Sequence, residues 1–165
     1  MHGLSLHQDG ATTKGPLASG AGSDHHGGVT LMPADGDKIL KDNFAAWVLD
    51  LGLRVEELGE RRAVLRLPWS DRLAREGGGL SGQAMMAAAD TATVIAVSAA
   101  RGEFVPMTTV QQSTSFQRPI VAKDVLVDAR ITKLGRTLAF ADISLTGEGD
   151  AEAAAKATTV YAILG

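Results

Sequence analysis

Cysteine is missing from this chain of 165 residues. Disulfides, thiolate nucleophiles and Cys-ligated metals are excluded with it, and a reducing compartment is permitted. Histidine is absent where it would count: His2, His7, His25 and His26 are the only four, and none follows residue 26. Ser-His-Asp catalysis, imidazole acid–base chemistry and ordinary zinc sites are therefore disfavoured in the rest of the chain. Chemistry there falls to carboxylates, hydroxyls, Lys or Arg, amides, or the single Tyr161. A surplus of either charge is missing too. Sixteen Lys and Arg face nineteen Asp and Glu, a formal charge of −3, without the basic excess of a general nucleic-acid or polybasic membrane binder. Aromatic residues make up 4% and form no ladder interleaved with basic residues, so RNA binding has no support.

What is present is ordinary globular composition at a length that suits one domain. Residues 1–36 hold eight of the nineteen glycines and no aromatic residue, too little apolar surface to offset the entropy of ordering them. They read as a flexible tail ahead of a domain spanning 37–165. No basic n-region leads into an apolar stretch, so no signal peptide is expected, and the expected location is cytoplasmic. His25 and His26 before Gly27 and Gly28 read as linker rather than as a metal tract.

From Asp37 the pattern tightens. Leu40, Phe44, Trp47, Val48 and Leu51 recur at helical spacing, with Gly52 as a stop. Ala63, Leu65 and Leu67 alternate with Arg62, Val64 and Arg66 as a strand ended by Pro68. Trp69 to Gly79 reads as a loop. Strand-like runs follow at 107–117, 125–132, 138–145 and 153–164, separated by Pro119, Gly135 and Gly147–Gly149. Between the first strand and these four lies SGQAMMAAADTATVIAVSAA (81–100), a helix with Ser81 as its N-cap. It is apolar nearly all round and long enough to raise the question of a membrane span. Its Ala-rich composition, its polar Gln83, Thr91, Thr93 and Ser98, and a central carboxylate argue against one. A soluble helix of this kind must be enclosed, and a curved antiparallel sheet built from the surrounding strands is the natural wrapper. The expected class is α+β.

Asp90 is that carboxylate, the only charge in the segment and far from either helix end. Burying it unpaired would cost several kcal/mol or force it to neutralise. It is either a structural acid satisfied by Thr or backbone N–H groups, or a general base or nucleophile facing a cleft or subunit interface. Gly82 and Gln83 stand at the positive end of the helix, where free N–H groups could polarise a carbonyl. The alternative for the glycines is a flexible entry to a buried helix. No Walker pattern follows them. Lys133 and Arg136 flank a turn, and Arg118 precedes Pro119; such residues are ordinarily solvated surface but could hold the phosphates of a large anion. Trp47 and Trp69 read as packing or pocket walls, and Met85 and Met86 as core filling.

The stretches GGGLSGQAMMAAADTA (77–92), FQRP (116–119) and KLGR (133–136), in this order of parts, carry a resemblance over about residues 38–164. The chain resembles the hotdog-fold thioesterases, specifically the phenylacetic-acid-degradation type of acyl-CoA thioesterase. In that family the central helix opens with His-Gly-Gly and holds an acid nine positions after the His. Here Ser81, Gly82 and Gln83 occupy the opening and Asp90 the ninth position, so the acid and first glycine match while the His and second glycine do not. The resemblance implies hydrolysis of an acyl-CoA with Asp90 as base or nucleophile and the helix N-terminus at Gly82 and Gln83 as oxyanion hole. Ser81, Arg118, Lys133 and Arg136 become substrate-binding candidates. It further implies a homodimer or homotetramer whose sheets join edge to edge, a site shared between subunits, and no metal or cofactor. Hotdog dehydratases need a His with an acid and are disfavoured. The rival reading is a non-catalytic acyl-CoA or hydrophobic-ligand binding protein on the same fold.

Overall fold

A computed structural model describes residues 29–165. The expectations about the histidines and most of the tail lie outside the described residues. Helix α1 runs Pro33–Asn43, with proline in its first turn and the Asp35 side chain accepting the Met32 N–H at 2.7 Å. It therefore begins inside the segment read as tail.

The single stripe expected from Leu40 to Leu51 is in fact two pieces. After α1 the chain is extended at Phe44 and Ala45, and a short helix α2 spans Ala46–Leu49. The Asn43 side chain donates to the Ile39 carbonyl in the last turn at 2.9 Å, and the Phe44 N–H closes the helix on the Leu40 carbonyl at 3.2 Å. The extended residues then reset the phase. Leu40 and Leu51 point inward, while Trp47 is 63% exposed.

Six strands form one antiparallel sheet: β1 (Arg54–Gly59), β2 (Arg62–Leu67), β3 (Met107–Phe116), β4 (Val125–Leu134), β5 (Leu138–Gly147) and β6 (Ala155–Ile163), in the order β1-β2-β4-β5-β6-β3. β1 is an addition to the strands expected from sequence. Its alternation is broken by a bulge between Val55 and Glu57, which puts two glutamates between its inward residues and hides the period of two. Within the presumed loop, residues Asp71–Leu73 form a 3-10 turn.

Helix α3 (Gly82–Arg101) lies in the concave face of the sheet. The Ser81 hydroxyl accepts the Ala84 N–H at 3.3 Å, and Gly102, with φ +77°, closes the other end. Ala88, Ala89, Ala92, Ile95, Ala96 and Val97 are fully buried; the four alanines let α3 settle onto β2 and β4. By length and composition α3 could cross a membrane, yet 67% of its apolar window is buried within the domain. Enclosure is incomplete, contrary to expectation. Gln83 and Met86 are exposed and Ala87 and Asp90 half-buried, which leaves an open stripe along the first half of the helix. Beside that stripe lies β3, an outer strand hydrogen-bonded only to β6.

Candidate active site

Asp90 occupies the inner end of the open stripe. Its Oδ1 accepts hydrogen bonds from Thr109 Oγ1 at 2.8 Å and from the Tyr161 hydroxyl at 2.5 Å. The two donors are register partners on β3 and β6. Immediately after Thr109, β3 bulges, so that Thr109 and Gln111 face consecutive residues of β6 and Val110 is extra. The bulge keeps Thr109 aimed at α3 and turns Val110 out to solvent. Tyr161 is 2% exposed; its burial and then the Asp90 charge push its phenol far above the ordinary value of 10.0. It is therefore a donor to Asp90 at any working pH, not a base. Among the described residues no Lys or Arg pairs with Asp90.

One turn nearer the helix start, Gln112 donates from β3 to the Met86 carbonyl at 3.0 Å. At the start itself, the Phe116 ring lies over Gly82: a Cβ built there would sit 3.2 Å from Phe116 Cζ. A side chain at Gly82 would thus press on a ring of the same chain, which would have to move slightly. Among the described residues, the Gly82 and Gln83 N–H groups meet no protein acceptor. Ser81, Gln83 and Ala84 border a cleft of about 360 Å³, walled on its far side by Trp47, Leu51 and Leu73. Trp47 is a pocket wall, one of its two expected roles, and Arg72 also lines this cleft.

The basic candidates do not converge. Arg118 leaves the end of β3 beside Gly82 and pairs with Glu152. Lys133 and Arg136 stand at the β4–β5 turn, at the opposite end of the sheet, where Arg101 of α3 donates to the Gly135 carbonyl at 2.7 Å. Lys133 Nζ lies 5.9 Å from the centre of the Phe140 ring. Ten-residue strands separate the two ends by roughly 30 Å. Asp90 is likewise apart from the cleft: eight residues of helix place it about 12 Å along the axis from Gly82.

The family model of the thioesterase superfamily matches residues 77–154, from the glycine turn to the residue before β6. A proposed thioesterase from Silicibacter sp. TM1040 is similar at 30% identity and a TM-score of 0.74, over 83% of this chain and 94% of that one. The chain belongs to the thioesterase superfamily. Its architecture is the hotdog fold of that superfamily, as the sequence implied. Two further structures share that fold at 16% identity. One is the Escherichia coli PaaI protein from the phenylacetic acid degradation operon, with a TM-score of 0.71 over 80% of this chain and 92% of that one. The other is a hypothetical thioesterase with coenzyme A from Streptococcus pneumoniae, at 0.63 over 68% and 86%. A comparison with curated proteins gave no match. At these identities the superfamily is shown, and the phenylacetic-acid type is not singled out within it.

Thr109 and the pairing of Tyr161 with Asp90 escape a reading of the sequence. A signal for the second was present. On α3, Asp90 and Thr93 share a face at a spacing of three, and on β6 Thr159 and Tyr161 share a face at a spacing of two. The structure joins them as Asp90–Tyr161 and Thr93–Thr159, the latter at 2.9 Å. No comparable signal marks the bulge that aims Thr109.

Proposed function

We propose that the protein hydrolyses an acyl-CoA thioester to the free acid and CoA. The observation that carries this reading is Asp90: a carboxylate on the open stripe of an otherwise apolar helix, one oxygen held and the other uncommitted, in a member of the thioesterase superfamily. Asp90 takes the proton of a water that attacks the thioester carbon, or attacks that carbon itself. The C–S bond then breaks, and the CoA sulfur leaves and is protonated; where Asp90 itself attacked, water next cleaves the mixed anhydride, releasing the acid and restoring the carboxylate. The carbonyl oxygen is stabilised by the N–H groups of Gly82 or Gln83, with the Gln83 amide as a further donor.

One chain cannot do this alone. A reacting group must stand about 3–3.5 Å from its target, and Asp90 lies about 12 Å along α3 from the Gly82 N–H groups of its own chain. The reading therefore pairs Asp90 of one protomer with the helix N-terminus of another, brought together where β3 edges meet. The coenzyme A of the Streptococcus pneumoniae relative supports a CoA ester as substrate. Ser81 borders the acyl cleft. For the CoA phosphates the candidates are Arg118, which stands at the Gly82 end of the sheet in an exposed pair with Glu152, and Lys133 and Arg136 at the other end. We place the protein in the cytoplasm, where acyl-CoA is made.

The test is CoA thiol release from a panel of short aliphatic, long aliphatic and aryl acyl-CoAs. Turnover of at least one class, lost on replacing Asp90, is the expected result. Tight binding of acyl-CoA without thiol release would instead make the protein an acyl-CoA binder.

A further inference from the structure

We infer that Tyr161 is a positioning residue for Asp90: its buried hydroxyl, together with that of Thr109, occupies one carboxylate oxygen and leaves the other as the single reactive one. This rests on the hydrolytic role proposed for Asp90. Three observations support it. Both hydroxyls converge on the same atom, Oδ1. Oδ2 has no partner among the described residues, and none of their buried side-chain oxygens is left unpaired, so Oδ2 is open to solvent. The tyrosine is held by β6 in the interior, so turning the carboxylate away breaks its hydrogen bonds from both Tyr161 and Thr109.

The arrangement differs from a structural tie between β6 and α3. The Tyr161 hydroxyl also lies 3.0 Å from the Asp90 main-chain carbonyl, and that bond alone would serve such a tie. A bond to Oδ1 instead fixes which oxygen faces substrate. Among the described residues, neither α3, β3 nor β6 brings another ionisable group into contact with this pair, and the side chains acting on Tyr161 are those of Asp90 and Thr109.

Tyr161 is the only tyrosine, so protein labelled with carbon-13 at the tyrosine ζ position gives one resonance that reads this hydrogen bond directly. We expect Asp90→Asn to move that resonance, because a neutral amide oxygen accepts the hydroxyl bond more weakly than a carboxylate. Tyr161→Phe should lower kcat at least about tenfold while KM stays within about twofold, since an orienting bond acts on the reacting group rather than on substrate binding. A resonance indifferent to Asp90→Asn overturns the inference. So does a Tyr161→Phe enzyme whose activity falls only in proportion to its folded fraction. A resonance that follows Asp90 in a protein that cleaves no thioester supports the hydrogen-bonded pair and removes the hydrolytic reading alone.

Discussion

At the scale of single residues, the hydrogen bonds around Asp90 decide what an isosteric substitution does. In Asp90→Asn the side-chain carbonyl can take the Oδ1 place and accept from Tyr161 and Thr109, while the amide NH2 faces solvent where Oδ2 stood. The fold should be kept, with turnover lower by at least about 10²-fold and the melting temperature shifted by only a few degrees. Unfolding and acyl-CoA hydrolysis measured on one preparation check this. If Asp90 is structural, stability falls by roughly 1–3 kcal/mol and activity only tracks folded protein. Gly82→Ala probes the other half of the site. The new methyl meets the Phe116 ring at 3.2 Å, and that ring is 48% exposed and can give way. We expect near wild-type stability but a kcat/KM lower by about fivefold, close to 1 kcal/mol, because the displaced ring intrudes on the helix N-terminus. Steady-state kinetics with unchanged kcat/KM would clear Phe116 and Gly82 of any part in the site.

At the scale of elements, Gly36 shows why local pattern can mislead. It sits inside α1, where glycine is a poor choice for a helix, and so reads as tail. Its reason is tertiary: a Cβ there would stand 2.8 Å from Val55 Cγ2. The missing side chain lets α1 lie on β1, where Asp37 also accepts the Val55 N–H at 2.8 Å. Gly36→Ala should therefore destabilise by about 1–3 kcal/mol despite its better propensity, and Val55→Ala in the same chain should recover part of the loss. Thermal melts of the two single variants and the double read the coupling; simple addition of the two losses would mean α1 does not press on Val55. The same tertiary logic separates what sequence disclosed from what it hid. The long helix, its cap at Ser81, the acid at Asp90 and strands β2 to β6 follow from periodicity and punctuation, which are local. β1, the break after Asn43 and the aim of Thr109 depend on two bulges and a side-chain cap, which disturb periodicity instead of creating it. The site was legible as separate residues. That Asp90 and Gly82 lie two helical turns apart was already implied by their numbers, but that Arg118 and Lys133 stand at opposite ends of the sheet needed the strand order.

At the scale of the whole molecule, the outer edge of β3 is the feature in need of a partner. Val110 is 60% exposed, and Phe116 and Met86 are exposed beside it, along an edge that no strand among the described residues pairs. We expect at least a dimer at micromolar concentration, with both copies contributing to each site. Val110→Lys, which sets a charge on that edge, should shift the protein to monomer and remove hydrolysis with it, while the monomer stays folded. Sedimentation and activity across a dilution series check the link; an active monomer would sink the shared site.

Strand order also dictates timing. β3 pairs with β6, three strands further along, and β2 pairs with β4 across the whole of α3 and β3. A chain made from its N-terminus therefore produces α3 after β1 and β2 but well before the other strands that cover it. From Arg101 at the end of α3 to Ile163 at the end of β6, synthesis at the usual rates takes roughly 3–12 seconds. For that interval the helix that passes for a membrane span by composition has only β1 and β2 of its sheet to lie against. Yield in the cell then depends on how soon the β4–β5 hairpin closes over α3, a kinetic matter that the stability of the finished sheet does not govern.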